Sequence, residues 1–282
     1  MYTLKNDALE ITLLDPVADR AQLGTRYCTA GYIYSVTDAR HGELMSGPTY
    51  PDSFNVFDGQ GIPDSFNLSP LLAWPGPKHP QQPLPEVPKD AHALVLGIGV
   101  CDLDTSTVVT WCDWDVEVEP TVIKMSTHHD FRGYRVDLVR AVSLIGRTIR
   151  SWTQVRNAGR PIPIRWFPHP FYPHPETDEL IKLNILVTFP ENPGYIMAPS
   201  GFISRKNWPW QGGPYQALDH DAATNLVVLQ RHPKLGLVGA TCSYVPSFFP
   251  IWGNPNTFSW EPFLERSLAP GQETEWWIDY EF

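Results

Sequence analysis

Apolar and polar residues alternate along this chain in short bouts, and the period of the alternation is two. In "GRTIRSWTQVRN" (146–157) Ile149, Ser151, Thr153 and Val155 fall on one face, while Thr148, Arg150, Trp152, Gln154 and Arg156 fall on the other. That is the repeat of a β-strand, whose successive side chains point to opposite faces. The same pattern predicts strands in "LEITLLD" (9–15), "GYIYSVTD" (31–38), "HALVLGIGVCD" (92–102) and "TVVTWCDWDVEVE" (107–119). It continues through 133–145, 180–189, 224–232 and 235–245. In the closing "ETEWWIDYEF" (273–282) Trp276, Ile278, Tyr280 and Phe282 share a face. No amphipathic helix longer than about two turns is legible. Many strands separated by Gly/Pro turns predict an all-β sandwich or barrel with few short helices.

Strand patterning lies on both sides of the Pro-rich stretch 68–91, which therefore reads as a long surface excursion inside one domain spanning 1–282. "PDSFN" occurs at 51–55 and again at 63–67, too short a repeat for a solenoid unit, and reads as two similar loop turns.

Composition narrows the function more than the fold. The formal net charge is −10, with no long Lys/Arg cluster, so a nucleic-acid partner is not expected and a small molecule is. No run of about 18 apolar residues is present, so no membrane-spanning helix is expected. The first residues lack a signal-peptide layout, which points to a cytoplasmic protein. Cys28, Cys101, Cys112 and Cys242 have no CxxC spacing and read as buried, reduced thiols. Neither a dinucleotide fingerprint, a P-loop, HExxH nor GxSxG is present. In "THHD" (127–130) adjacent histidines on a strand would point apart, so a shared metal is not expected and both read as surface or turn residues. What remains is acid–base chemistry with no cofactor and no metal, or plain binding.

Three places combine titratable groups with aromatic rings. "IRWFPHPFYPHP" (164–175) holds His169 on a backbone that its prolines keep extended, among Trp166, Phe167, Phe171 and Tyr172. A histidine there can exchange a proton near neutral pH, and flat rings suit the C–H faces of a sugar; a packed loop histidine fits the same pattern. Glu261, in "FSWEPF", follows a short apolar strand, where desolvation would raise its pKa and make it a better base. It could also cap a turn or pair with Arg266. "NWPWQGGPYQALDHD" (207–221) offers Trp210, Asp219 and Asp221 in a loop-like setting, as ligands for hydroxyls or as ordinary turn residues. Arg26, before a strand, would orient a hydroxyl or carboxylate, or make a structural ion pair.

The order of these blocks resembles the galactose mutarotase-like (aldose 1-epimerase) superfamily. The match runs through Asn157, Gly159, Pro161, His169 and Phe171, then through "FSWEPF…LAPGQETEWWIDYEF", with opening hairpins like those of "NDALEITLLD…GYIYSV". The resemblance implies a β-supersandwich and interconversion of the α and β anomers of an aldose. It implies His169 as the acid that protonates the ring oxygen and Glu261 as the base at the C1 hydroxyl, facing one cleft with room for a pyranose between them. It implies an aspartate on sugar hydroxyls, matched by Asp219 with Asp221 as its rival. Galactose mutarotases carry an Asn-Arg pair and a second histidine where this chain has "FDGQGIPDSFN" (57–67), so galactose itself is not carried over, and Arg26 stands in for that arginine. Arg205 and Lys206 would suit a sugar phosphate, as in sugar-phosphate mutarotases. His174 lies outside the motif and reads as a surface residue. A monomer or a dimer is compatible with all of this. A carbohydrate-binding protein without catalysis, or another sugar-active enzyme such as a lyase or hydrolase, fits the same residues.

Overall fold

The alternating segments pair into antiparallel sheets. The computed structural model describes residues 1–50, 56–66, 92–102, 104–221 and 224–282. Among these, twenty-four strands form five sheets, and the only helical segment is one turn of 3-10 helix, Arg20–Gln22. The Pro-rich stretch and the first "PDSFN" lie outside the described residues. The second copy is not a loop turn: Asp64–Phe66 is a strand hydrogen-bonded to Ile162–Pro168.

The largest sheet has ten strands in the order 195–197, 203–205, 179–183, 227–232, 236–242, 273–281, 148–157, 134–145, 122–131 and 115–118. Its two long hairpins meet at two-residue turns. Arg132 and Gly133 both have positive φ, 50° and 83°, the geometry whose twist matches that of the strands it joins. The faces are those read from the sequence: Ile149, Ser151, Thr153 and Val155 are buried, as are Trp276, Ile278 and Tyr280. His128 and His129 fall on opposite faces of Val122–Phe131. His128 is exposed and bonded to Asp137 at 2.7 Å. His129 is a core residue instead, accepting the Gly97 N–H at 3.1 Å, and burial pushes its pKa down to about 4.

Four smaller sheets accompany the large one. One joins 264–268, 162–168 and 64–66; another joins 187–188, 215–220, 249–253 and 258–260. Their buried faces merge with that of the ten-stranded sheet in one hydrophobic cluster. Aromatic contacts bind the layers: Trp166 meets Trp276 at 5.4 Å, Phe66 meets Trp276 at 6.2 Å, and Trp260 stacks on Tyr280 at 6.1 Å between centroids. Because interiors pack at crystal-like density, this anchors the ends of both small sheets to a rigid layer. Under them, Arg140 is wholly buried and its Nη1 donates to Asp64 Oδ1 at 2.7 Å. The four cysteines are free and buried. No helix among the described residues is long and apolar enough to cross a membrane.

Candidate active site

The prolines of the 164–175 stretch sit where the extended backbone can spare their donors. His169 N–H donates to Pro63 O and Phe171 N–H to Gly61 O, both at 2.8 Å, so the residues between prolines make the hydrogen bonds. On the other edge Tyr172 and Phe258 exchange a pair of bonds at 2.9 Å. This zips the segment between 61–63 and the strand Phe258–Trp260. That strand ends immediately before Glu261, whose N–H donates to Pro250 O at 3.0 Å.

The result is direct contact. His169 Nε2 lies 3.3 Å from Glu261 Oε1, and its Nδ1 lies 2.8 Å from Ser259 Oγ. His169 is 9% exposed and Glu261 8%. The Phe171 ring stacks on the imidazole at 4.3 Å and 20°, and Trp252 meets it edge-on at 5.9 Å. The expected cleft with a pyranose-sized gap between the two groups is not what is found. Two buried polar groups facing each other satisfy one another across the seam.

Burial decides the charge state. Desolvation raises the Glu261 carboxyl to about 8, against an opposing pull from the positive charge of Arg26. It lowers His169 to about 3, with the repulsion of Arg26 adding to it. Between those limits the pair holds one proton, on Glu261, facing a neutral imidazole. Arg26 itself is exposed, its guanidinium over the rings of Tyr27 at 5.2 Å and Phe57 at 5.9 Å.

The sequence-derived residues divide accordingly. His169, Glu261 and Phe171 come together, and Arg26 is near enough for both titratable groups to feel its charge. Trp210 stands behind them. Its Nε1 donates to Lys206 O at 2.9 Å, it packs with Tyr195 and Trp208, and it abuts Gly253, next to Trp252. Asp219 is exposed at the far end of Tyr215–His220, and Asp221 is exposed just beyond it, outside the His169–Glu261 contact. Arg205 is buried, donating to Thr177 O at 2.6 Å and lying over Trp208 at 4.1 Å, while Lys206 pairs with Glu191 at 3.2 Å. His174 is not a surface residue: it is half-buried against Trp208 at 4.3 Å, and its Nε2 is 2.7 Å from Asn254 O. Asn157 works as a turn clamp, donating to Arg160 O and Leu268 O and accepting from Gly159 N–H.

Reading the sequence missed Ser259, Trp252 and Tyr215. Ser259 stands two residues before Glu261 in an extended segment, so a shared face was deducible. Trp252 and Tyr215 are register partners on adjacent strands, and the field of Glu261 adds to the burial that raises the Tyr215 hydroxyl. Nothing local marked that pairing. Two cavities of about 530 Å³ each open elsewhere, one beside Trp111 and the exposed His128–Asp137 pair, the other beside Asp38 and Arg147.

No family model matches the chain, and no curated protein does. Solved structures do. A galactose mutarotase related enzyme from Lactobacillus acidophilus superposes with a TM-score of 0.63 at 13% identity, covering 99% of this chain and 96% of that one. A galactose mutarotase-like protein from Lactobacillus casei gives 0.55 at 12%, covering 100% and 99%. A protein from Escherichia coli K12 described as a candidate aldose 1-epimerase gives 0.57 at 15%, covering 99% and 97%. These likenesses are of fold alone: the chain has the fold seen in galactose mutarotase-like proteins.

Proposed function

We propose that the protein is an aldose mutarotase, interconverting the α and β anomers of a free monosaccharide with His169 and Glu261 as its acid–base pair. The observation that carries the reading is the convergence of these two groups, from segments far apart in the chain, into one buried contact of 3.3 Å walled by Phe171 and Trp252. The shared fold agrees with it.

Ring opening moves one proton in and one proton out. A base takes the C1 hydroxyl proton, the O–H electrons form the carbonyl, the C1–O5 bond breaks, and an acid protonates O5. Rotation about C1–C2 and the reverse steps deliver either anomer. A pair holding a single proton suits this, because after each step the proton has only changed partner. Sugar hydroxyls donating to Glu261 stabilise its carboxylate, and the displaced proton passes to Nε2 across the contact. His169 is then the acid toward O5 and Glu261 the base toward the C1 hydroxyl. Above about pH 8 the resting pair loses its proton and turnover falls.

NMR exchange between anomers, run over a panel of aldoses and their phosphates, tests the reading. H169Q and E261Q should each slow exchange about 10²-fold or more while remaining folded. Exchange at the buffer rate for every sugar, or full activity in either variant, would overturn it. Sugar binding without exchange would identify a carbohydrate-binding protein.

A further inference from the structure

Glu261 does not meet the imidazole alone. Ser259 lies two residues earlier in the same extended segment, and such residues share a face. The segment therefore grips His169 by both ring nitrogens, with a hydroxyl at Nδ1 (2.8 Å) and a carboxyl at Nε2 (3.3 Å). Ser259 is 0% exposed, its strand is paired with Phe249–Gly253 through the Trp252–Ser259 register, and its neighbours Phe258 and Trp260 are equally buried.

Stacking on Phe171 fixes the plane of the imidazole but not its edge. A half-turn about χ2 keeps the ring in that plane and carries both nitrogens to the opposite side. Only a polar partner at the ring edge tells the two orientations apart.

We infer that Ser259 is a positioning residue for the reaction proposed above: it holds His169 by Nδ1 and makes Nε2 the nitrogen that exchanges protons with Glu261 and the substrate. The inference rests on that functional reading for its consequence in turnover. A hydroxyl performs the task differently from a carboxylate. It accepts the Nδ1–H bond without bringing a negative charge, so it orients the ring without stabilising the imidazolium. That agrees with a histidine whose pKa burial lowers despite an opposing hydrogen bond to its own backbone. A carboxylate at this place would orient the ring as well, but it would draw the pair's proton from Glu261 onto His169.

The test uses protein labelled with ¹⁵N-histidine, in which H169Q identifies which of the nine histidine signals belongs to His169. At neutral pH the wild type should show Nδ1 protonated and Nε2 bearing the lone pair. S259A should show a mixture of tautomers, with kcat lowered about tenfold and KM within about twofold. S259T, which returns the hydroxyl, should recover the single tautomer and most of kcat. An S259A protein that keeps the wild-type tautomer overturns the inference, as does equal loss in S259A and S259T. If the wild type exchanges no anomers, the functional reading falls separately, and the tautomer comparison still decides whether Ser259 holds the ring.

Discussion

The neutral state of Glu261 has a thermodynamic consequence that E261Q isolates. Raising a carboxyl from 4.5 to about 8 costs its ionised form roughly 5 kcal/mol, at about 1.4 kcal/mol per pH unit. The folded-state pKa lies above the unfolded one. The stability tied to the bound proton is therefore fully present below about pH 4.5 and lost as the pH rises through 8, because the unfolded chain gives up its proton first. Glutamine keeps the shape and, like the protonated carboxyl, donates toward His169 Nε2, but it does not titrate. The stability of E261Q minus that of the wild type should be flat below pH 4.5 and climb in favour of E261Q up to pH 8, by about 1.4 kcal/mol per unit at its steepest.

Other groups cancel in that difference. His129, His169 and His174 are pushed down to about 4, 3 and 4, so each costs stability as the pH falls below its ordinary 6.5. Three histidines outweigh one glutamate until the unfolded histidines themselves lose their protons, which leaves the wild type most stable near neutrality, at about pH 7. Urea unfolding of both proteins, followed by tryptophan fluorescence at half-unit steps from pH 4.5 to 8.5, measures the difference. A constant difference across that range would mean that Glu261 is ionised in the folded protein at neutrality, and the neutral-pair argument would fail.

W252A should raise KM about tenfold with a smaller effect on kcat, the scale of one aromatic platform lost, as read by saturation curves in the anomer-exchange assay. Gly59 has φ of +107°, and a Cβ there would come within 2.2 Å of the Phe171 ring and 2.6 Å of the Tyr27 hydroxyl. G59A should therefore cost about 1–3 kcal/mol in thermal unfolding and also lower kcat, because the ring it displaces is the one stacked on His169. R140M should destabilise by about 3–5 kcal/mol by leaving Asp64 buried without its partner, and D64N on that background should recover much of the loss in a double-mutant cycle.

The faces of the long strands were legible because a period of two needs only local information: Ile149 through Val155 and Trp276 through Tyr280 are buried as the alternation said. The desolvation of Glu261 was legible too, since an apolar strand and a proline flank it. The contact with His169 was not. It depends on the register of 258–260 against 249–253 and on the bonds from 169 and 171 to 61–63, pairings between residues distant in the chain. The second "PDSFN" misled for the same reason: a turn-like composition became a strand once Trp166, Phe167 and Pro168 supplied an edge for it to pair with. His129 and His174 misled differently, because apolar surroundings supplied by other strands can bury a neutral imidazole that local sequence marks as polar.

The chemistry of the pair also bears on which sugar reaction it suits. Glycosidic hydrolysis ordinarily uses two carboxyl groups about 5–9 Å apart, with a water or a sugar carbon between them. Here one carboxyl and one imidazole touch at 3.3 Å, and Asp219 and Asp221 are exposed outside that contact. A substrate that enters must replace the interaction each partner gives up: an acceptor for the acid and a donor for the base. The anomeric centre of a free aldose offers both on one carbon, the ring oxygen as acceptor and the C1 hydroxyl as donor. A glycoside offers only acceptors there and leaves the base unpaired in an apolar wall, at the cost that any buried unsatisfied polar group carries. In the proposed reaction the contact that closes the resting site would select for a reducing sugar, and methyl glycosides of any aldose that turns over should bind at least tenfold more weakly in a competition assay.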